Sequence, residues 1–247
     1  IKSPGQNHTI LPGIFFLLIF FFFTTFKLLK YNPNYTLSTT NCQLNPMSKN
    51  KILILFAHPL FEKSFANKIL TEHIPDSHSI TFHDLYETYP EFDIDVKHEQ
   101  ELLKQHDIII WQHPMYWYSC PPLLKQWIDM VLEYGWAYGK YGLALQDKVI
   151  FQAITTGANA ENYSAEGLHL FTIPELLRPF SQTAKVCRME YLPPFVIHGT
   201  HKMDEQTCLE KAASYAQLLM YFTNNEIDIR KIQEFPYMND WMQSKNI

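Results

Sequence analysis

Val149-Ile150-Phe151-Gln152-Ala153-Ile154, continuing into Thr155-Thr156-Gly157-Ala158-Asn159-Ala160-Glu161-Asn162-Tyr163-Ser164-Ala165-Glu166-Gly167-Leu168-His169, is the stretch that decides the fold. The first six residues are a short apolar run of strand length, the pattern of a strand covered on both faces by helices. A strand that opens into Thr-Thr-Gly offers small side chains and backbone N–H groups at its carboxyl end. In an open α/β sheet that is where ligands bind. Tyr163 and His169 bring a phenol and an imidazole into the same loop, and both can donate a hydrogen bond to a developing negative charge.

On either side of this stretch, strands and helices alternate. Lys51 to Ala57 is a continuous apolar run, and Ser64 to Thr71 begins a helix with apolar Phe65, Ile69 and Leu70. Ser79 to His83 forms a short second strand, residues 84–94 a loop, and Val96 to Gln105 a surface helix carrying Leu102 and Leu103. Ile108 to Trp111 is a third strand, followed by a helix over Pro122 to Glu133 opened by proline in its first turn. Lys185 to Ile197 contains a fifth strand interrupted by Pro193-Pro194, and Asp204 to Phe222 is a last amphipathic helix. This order predicts a parallel sheet with helices on both faces, in a domain over residues 47–223. Residues 224–247 read as a polar C-terminal tail.

Residues 1–46 stand apart. They hold Lys2, Lys27 and Lys30 and no acid, so the formal charge of −5 leaves the rest of the chain markedly acidic. An acidic body is a poor electrostatic partner for nucleic acid, and none is expected. Ile14 to Phe23 is an unbroken apolar run, short of the ~20 residues that a membrane span needs. A membrane anchor, a targeting segment and residues foreign to the mature protein compete here. The preferred reading starts the protein at Met47 and treats 1–46 as a non-native or disordered extension. The four cysteines (Cys42, Cys120, Cys187, Cys208) form no C-x-x-C pair, which fits reduced thiols rather than a metal site or a disulfide framework.

Two further loops carry chemistry. No G-x-G-x-x-G follows the first strand, so the dinucleotide fingerprint is absent. In its place stand Ala57-His58-Pro59 and Ser64-Phe65-Ala66-Asn67. Ser64 and Asn67 beside free helix N–H groups could cradle a phosphate, and Ser64 could equally be an ordinary cap. After the third strand comes Gln112-His113-Pro114-Met115-Tyr116-Trp117-Tyr118-Ser119-Cys120-Pro121-Pro122. Three aromatics in succession cannot all turn inward from a loop, so this surface suits a flat aromatic ligand better than the core. Cys120 reads as a small buried residue.

With these residues in view, Lys51 to Phe222 resembles the flavodoxin-like NAD(P)H:quinone oxidoreductases, and among them the ancillary subunits of the bacterial glutathione-gated potassium efflux system. The likeness rests on Ala57-His58-Pro59 with Ser64 to Asn67, Trp111 to Ser119 with Pro121 to Lys125, Gly135 to Gly139, Thr155-Thr156-Gly157 and Leu192 to Phe195. It implies an α/β three-layer sandwich around a five-stranded parallel sheet of order 2-1-3-4-5, and an FMN site. By the resemblance His58, Ser64, Phe65, Ala66 and Asn67 hold the phosphate and ribityl chain. Met115, Tyr116, Trp117 and Tyr118 lie along the isoalloxazine, and Thr155, Thr156, Gly157 and Ala158 meet its polar edge. Tyr163 and His169 take the catalytic positions facing flavin and substrate. NADPH or NADH is the implied donor, and a quinone or similar small electrophile the acceptor.

The resemblance further implies a homodimer, in which Tyr138 borders the neighbouring chain's pocket, and a cytoplasmic location. A regulatory role on a potassium efflux antiporter at the inner membrane is the competing reading. A small electron-carrier flavodoxin fits less well, because the loop after the first strand lacks the hydroxyl-rich phosphate pattern. Ala158 departs from the relatives, which often have a second glycine there. If the position needs positive φ or close flavin approach, alanine is unfavourable.

Overall fold

The computed structural model describes residues 50–224 and 227–247. The expected extension over 1–46 lies outside the described residues. Strands β1 (Ile52–Phe56), β2 (Ile80–Asp84), β3 (Ile108–Pro114), β4 (Val149–Thr155), β5 (Glu190–Tyr191) and β6 (Phe195–Ile197) form one parallel sheet of order β2-β1-β3-β4-β5, with β6 also paired to β4. The order is the expected one. A sixth strand appears because the fifth position is split: β5 pairs with Val149 and Ile150, β6 with Ala153 to Thr155. Pro193 and Pro194 fall between, and proline has no N–H to give to a ladder.

Nine helices are described: α1 (Phe65–Glu72), α2 (Leu85–Thr88), α3 (Val96–Gln105), α4 (Pro122–Val131), α5 (Ile173–Leu176), α6 (Arg178–Val186), α7 (Glu205–Asn224), α8 (Ile229–Ile232) and α9 (Met238–Lys245). Alternate strand side chains point to opposite faces. Leu53, Leu55, Ile109, Trp111 and Ile150 pack with Leu103 of α3, Leu123 and Trp127 of α4, and Phe180 of α6. Ile52, Ile54, Ile110 and Phe151 pack on the other face with Ile69 of α1, Tyr215 and Leu219 of α7, and Trp241 of α9. β1, β3 and β4 are buried along their whole length, which accounts for their apolar character; Gln112, His113 and Gln152 are the buried polar exceptions near the site. Among the described residues no helix is long and apolar enough to cross a membrane.

Three local expectations are corrected. Residues 224–247 are not a loose polar tail where they are described: Ile232, Met238, Trp241 and Met242 are buried, and Met238 N–H donates to the Pro194 carbonyl (2.9 Å). Met238, Trp241 and Met242 fall on one side of α9 at i, i+3 and i+4, so a short helix buries them while its polar residues stay outside. The 84–94 loop contains α2, whose first N–H groups are capped by the Asp84 carboxylate (2.9 and 3.2 Å). The surface helix α3 buries one charge completely: Glu99 accepts hydrogen bonds from Tyr89 Oη (2.6 Å), Trp127 Nε1 (2.7 Å) and His83 Nε2 (2.8 Å).

Candidate active site

Parallel register brings the carboxyl ends of β1, β3, β4 and β6 to one edge of the sheet. Phe56 lies beside Gln112, Pro114 beside Thr155, and Thr155 beside Ile197. The loops leaving these strands enclose a cleft of about 600 Å³. His58, Ser64, Phe65, Ala66 and Asn67 from the loop after β1, Met115 and Tyr116 from the loop after β3, and Thr155 and Gly157 from the end of β4 line it. Nine of the thirteen expected cofactor residues thus share one wall, together with Lys63.

The loop after β1 is built for anion contact. Ser64 caps α1 and its Oγ accepts from Asn67 N (3.4 Å) and Asn67 Nδ2 (3.0 Å). Capping occupies only the lone pairs, so the hydroxyl hydrogen is still available to a ligand. The two sequence readings of Ser64 are therefore compatible. Asn67 also donates to Thr155 Oγ1 (3.1 Å), tying the loop after β1 to the end of β4. His58 is buried, and desolvation lowers its pKa, so it stays neutral. Its Nδ1 accepts from Leu60 N–H (3.2 Å), which leaves the ring proton on Nε2.

The loop after β3 is a tight hairpin. Tyr116 and Ser119 exchange backbone hydrogen bonds (3.1 and 3.0 Å). The two residues between them, Trp117 (φ 48°) and Tyr118 (φ 63°), both adopt left-handed backbone. Positive φ at both central positions is the pattern of a primed turn, usually met by Asn-Gly. Two bulky aromatics there are strained, and such strain concentrates at functional sites. Trp117 is 92 % exposed and Tyr118 half so; neither lines the cleft. Cys120 is buried next to the hairpin, and burial pushes its thiol up to about 11.

Thr156, Ala158, Tyr163 and His169 also lie off the cleft wall. Thr156 N–H is already bonded to the Ile197 carbonyl (2.9 Å), so it is not the free donor the sequence reading supposed. Ala158 keeps out of the left-handed region, and alanine there carries no backbone penalty. Tyr163 and His169 do meet: their rings lie 4.5 Å apart, and Tyr118 packs edge-on to His169 at 5.5 Å with its hydroxyl 3.4 Å from His169 Nδ1. The pair is joined to the aromatic hairpin rather than to the anion side. Burial raises the Tyr163 phenol pKa, so it keeps its proton. Tyr163 also borders a second cleft of about 510 Å³ with His198, Lys211 and Tyr237.

The loop after β6 was missed. Thr200 and His201 line the main cleft, and His198 lines the second one. Thr156 Oγ1 donates to the Ala158 carbonyl (2.8 Å) and so can only accept from His198 Nδ1 (3.0 Å). A Cβ on Gly157 would sit 2.5 Å from His201 Nε2, so glycine there makes room for this ring. The available signal was His198-Gly199-Thr200-His201 at the carboxyl end of an apolar strand; Gly199 adopts φ +75° to make the turn.

The donor set fits FMN. The anion side has Lys63, the Ser64 hydroxyl and the N–H groups of Phe65 and Ala66, which have no backbone partner among the described residues at the start of an eight-residue helix. The apolar and aromatic side has Met115 and Tyr116. Gly157 and Ala158 N–H groups likewise have no partner among the described residues.

Comparison with known proteins agrees with this architecture. Residues 50–219 match the family described as having the flavodoxin-like fold. The glutathione-regulated potassium-efflux system ancillary protein KefG of Erwinia tasmaniensis is 41 % identical over 169 residues, covering 68 % of this chain and 92 % of its own. General stress protein 14 of Treponema denticola, solved in complex with FMN, is 43 % identical with a TM-score of 0.66, covering 69 % of this chain and 98 % of its own. An NADPH-quinone reductase from P. pentosaceus is 33 % identical with a TM-score of 0.63, covering 72 % and 99 %. With its sheet order, its loops and these relatives in agreement, the chain belongs to the flavodoxin-like family.

Proposed function

We propose that this protein is an FMN-dependent NAD(P)H:quinone oxidoreductase. The observation that carries the reading is one cleft with an anion-binding side, at Lys63 to Asn67, and an apolar and aromatic side, at Met115 and Tyr116. The FMN-bound relative supports the cofactor, and the NADPH-quinone reductase supports the donor and acceptor. When bound, FMN supplies the ring that accepts hydride from the nicotinamide and passes it to the quinone. The protein's part is binding, orientation and charge. Phe65 and Ala66 N–H, Ser64 O–H and Lys63 hold the phosphate. His58 offers Nε2–H to the same side. Gly157 N–H meets the electron-rich edge of the ring system, and Tyr163 keeps its phenol proton as a donor beside His169. The test is the absorption spectrum of the purified protein with FMN, then NADPH, then a benzoquinone. Flavin that bleaches with NADPH and recovers with quinone supports the reading; a protein that takes up no FMN overturns it.

A second reading, a regulatory subunit that docks on a potassium efflux antiporter, is supported by the likeness to KefG. Bound flavin without quinone turnover would favour it. In either reading we propose a homodimer, for which Leu168, Leu170 and Phe171, neighbours in one loop and 78, 63 and 53 % exposed, offer apolar surface.

A further inference from the structure

Behind the aromatic hairpin, on the sheet face covered by α6, a chain of buried polar groups crosses three strands. Tyr191 Oη donates to Gln152 Oε1 (2.7 Å), Gln152 Nε2 lies 3.1 Å from His113 Nε2, and His113 Nδ1 lies 2.9 Å from the Pro114 carbonyl oxygen. Gln152 and His113 are fully buried, and Phe180 packs on the imidazole with ring centroids 6.3 Å apart.

One atom fixes the direction of every bond in this chain. A carbonyl oxygen can only accept, so His113 Nδ1 carries a hydrogen. A neutral imidazole then has a bare Nε2, which must accept from the Gln152 amide nitrogen. That leaves Gln152 Oε1 to accept from Tyr191. Burial lowers the His113 pKa to about 4, consistent with a neutral ring. Donors therefore all point toward Pro114, and aligned hydrogen bonds polarise one another. The peptide they reach is held on its other side too, because Met115 N–H donates to the Thr155 carbonyl (2.8 Å). Pro114 and Met115 both line the cleft, and the strained hairpin starts at the next residue.

We propose that His113 is a positioning residue for the flavin-facing loop: as the neutral Nδ1–H tautomer, locked by Gln152 and Tyr191, it orients the Pro114–Met115 peptide from which the aromatic wall of the cleft is hung. This rests on the FMN reading above. Removing the imidazole frees one side of that peptide and leaves the Gln152 amide without an acceptor. Replacing Gln152 by glutamate places an ionised acceptor where a donor stood, which calls for a second proton on His113; of the ion pair so formed, the cation is the member next to the Pro114 carbonyl and so the nearer to the cleft.

The test uses the full chain and three readouts: FMN affinity by fluorescence quenching, the tautomer of His113 by 15N-imidazole NMR, and the reduction potential of the bound flavin. Wild-type protein is expected to show neutral Nδ1–H. His113→Phe, of similar volume, is expected to weaken FMN binding about tenfold, the loss of a hydrogen bond to a buried group. Gln152→Glu is expected to raise the flavin potential, a change that a merely space-filling His113 would not transmit. If His113→Phe does not fold, Gln152→Glu and the wild-type tautomer decide. An Nε2–H tautomer, or wild-type affinity in His113→Phe, or an unshifted potential in Gln152→Glu, overturns the proposal. A wild-type protein that binds no FMN overturns the flavin reading and the positioning role with it, and is distinguished by failing before any variant is made.

Discussion

The side-chain amide of Asn239 pairs with the backbone of Val196 as a neighbouring strand would. Asn239 Oδ1 accepts from Val196 N–H (2.8 Å), and Asn239 Nδ2 donates to the Val196 carbonyl (3.1 Å). β6 lies on the open side of the sheet, and unpaired edge groups are templates for wrong pairing. One residue of α9's first turn thus satisfies a buried strand residue and blocks its edge. Asn239→Ala is expected to lower stability by about 1–3 kcal/mol, because a buried donor and acceptor lose their partners. Denaturant unfolding of the variant measures this, and an unchanged midpoint would show that water replaces the amide freely.

The buried Glu99 gives a prediction with a defined pH dependence. Burial opposes its ionisation, yet the His83, Tyr89 and Trp127 hydrogen bonds hold its carboxyl below the usual carboxylate range. A depressed pKa in the folded state contributes stability above the unfolded value of about 4.3, and that contribution is lost as pH falls through the folded value. Glu99→Gln is therefore expected to destabilise by roughly 2–3 kcal/mol at pH 7. The gap between the two proteins should narrow below about pH 4.3. Unfolding curves between pH 7 and 3 check it; a constant gap would place the carboxylate's partners elsewhere.

Trp117 and Tyr118 allow stability to be moved without changing the cleft wall. Trp117→Asn with Tyr118→Gly puts the preferred residues of a primed turn at the two left-handed positions. Relief of strain should raise stability by about 1 kcal/mol, since Trp117 has little burial to lose. The same variant should leave FMN affinity near the wild-type value, because neither side chain lines the cleft. Thermal melts and flavin titration on one sample settle both.

Tyr163→Phe with His169→Gln is expected to slow flavin reduction by NADPH at least tenfold while FMN stays bound, because neither residue lines the cleft. Stopped-flow absorbance is the measurement. A wild-type rate removes the pair from the chemistry and shifts attention to His198 and Thr156.

For the exposed apolar surface, Leu170→Asp with Phe171→Asp is expected to convert a dimer to a monomer in sedimentation experiments without lowering stability. Both side chains are more than half exposed in the single chain.

The strands were legible because β1 and the first residues of β3 and β4 are apolar on both faces, and the family resemblance supplied their order in the sheet. The cleft was legible from loops with dense chemistry. What escaped was spread thin. His198, Thr200 and His201 come from a loop with no motif, and only the parallel register of β6 with β4 brings them to Gly157. Glu99 was hidden on a charged helix, where its neighbours in sequence are all solvated; its partners come from residues 83, 89 and 127. The buried residues of α8 and α9 are four among many polar ones, too few in a short window for periodicity to register.

The amide that closes the edge of β6 follows that strand by some forty residues in the chain. Synthesis proceeds from the N-terminus, so Val196 leaves the ribosome well before Asn239 exists. Until α9 emerges, a nascent chain with its sheet otherwise assembled displays an unpaired edge. The interval of greatest danger for aggregation thus falls between the emergence of β6 and that of α9. Premature termination anywhere between residues 197 and 238 would release a product with its central strands in place and its edge permanently open.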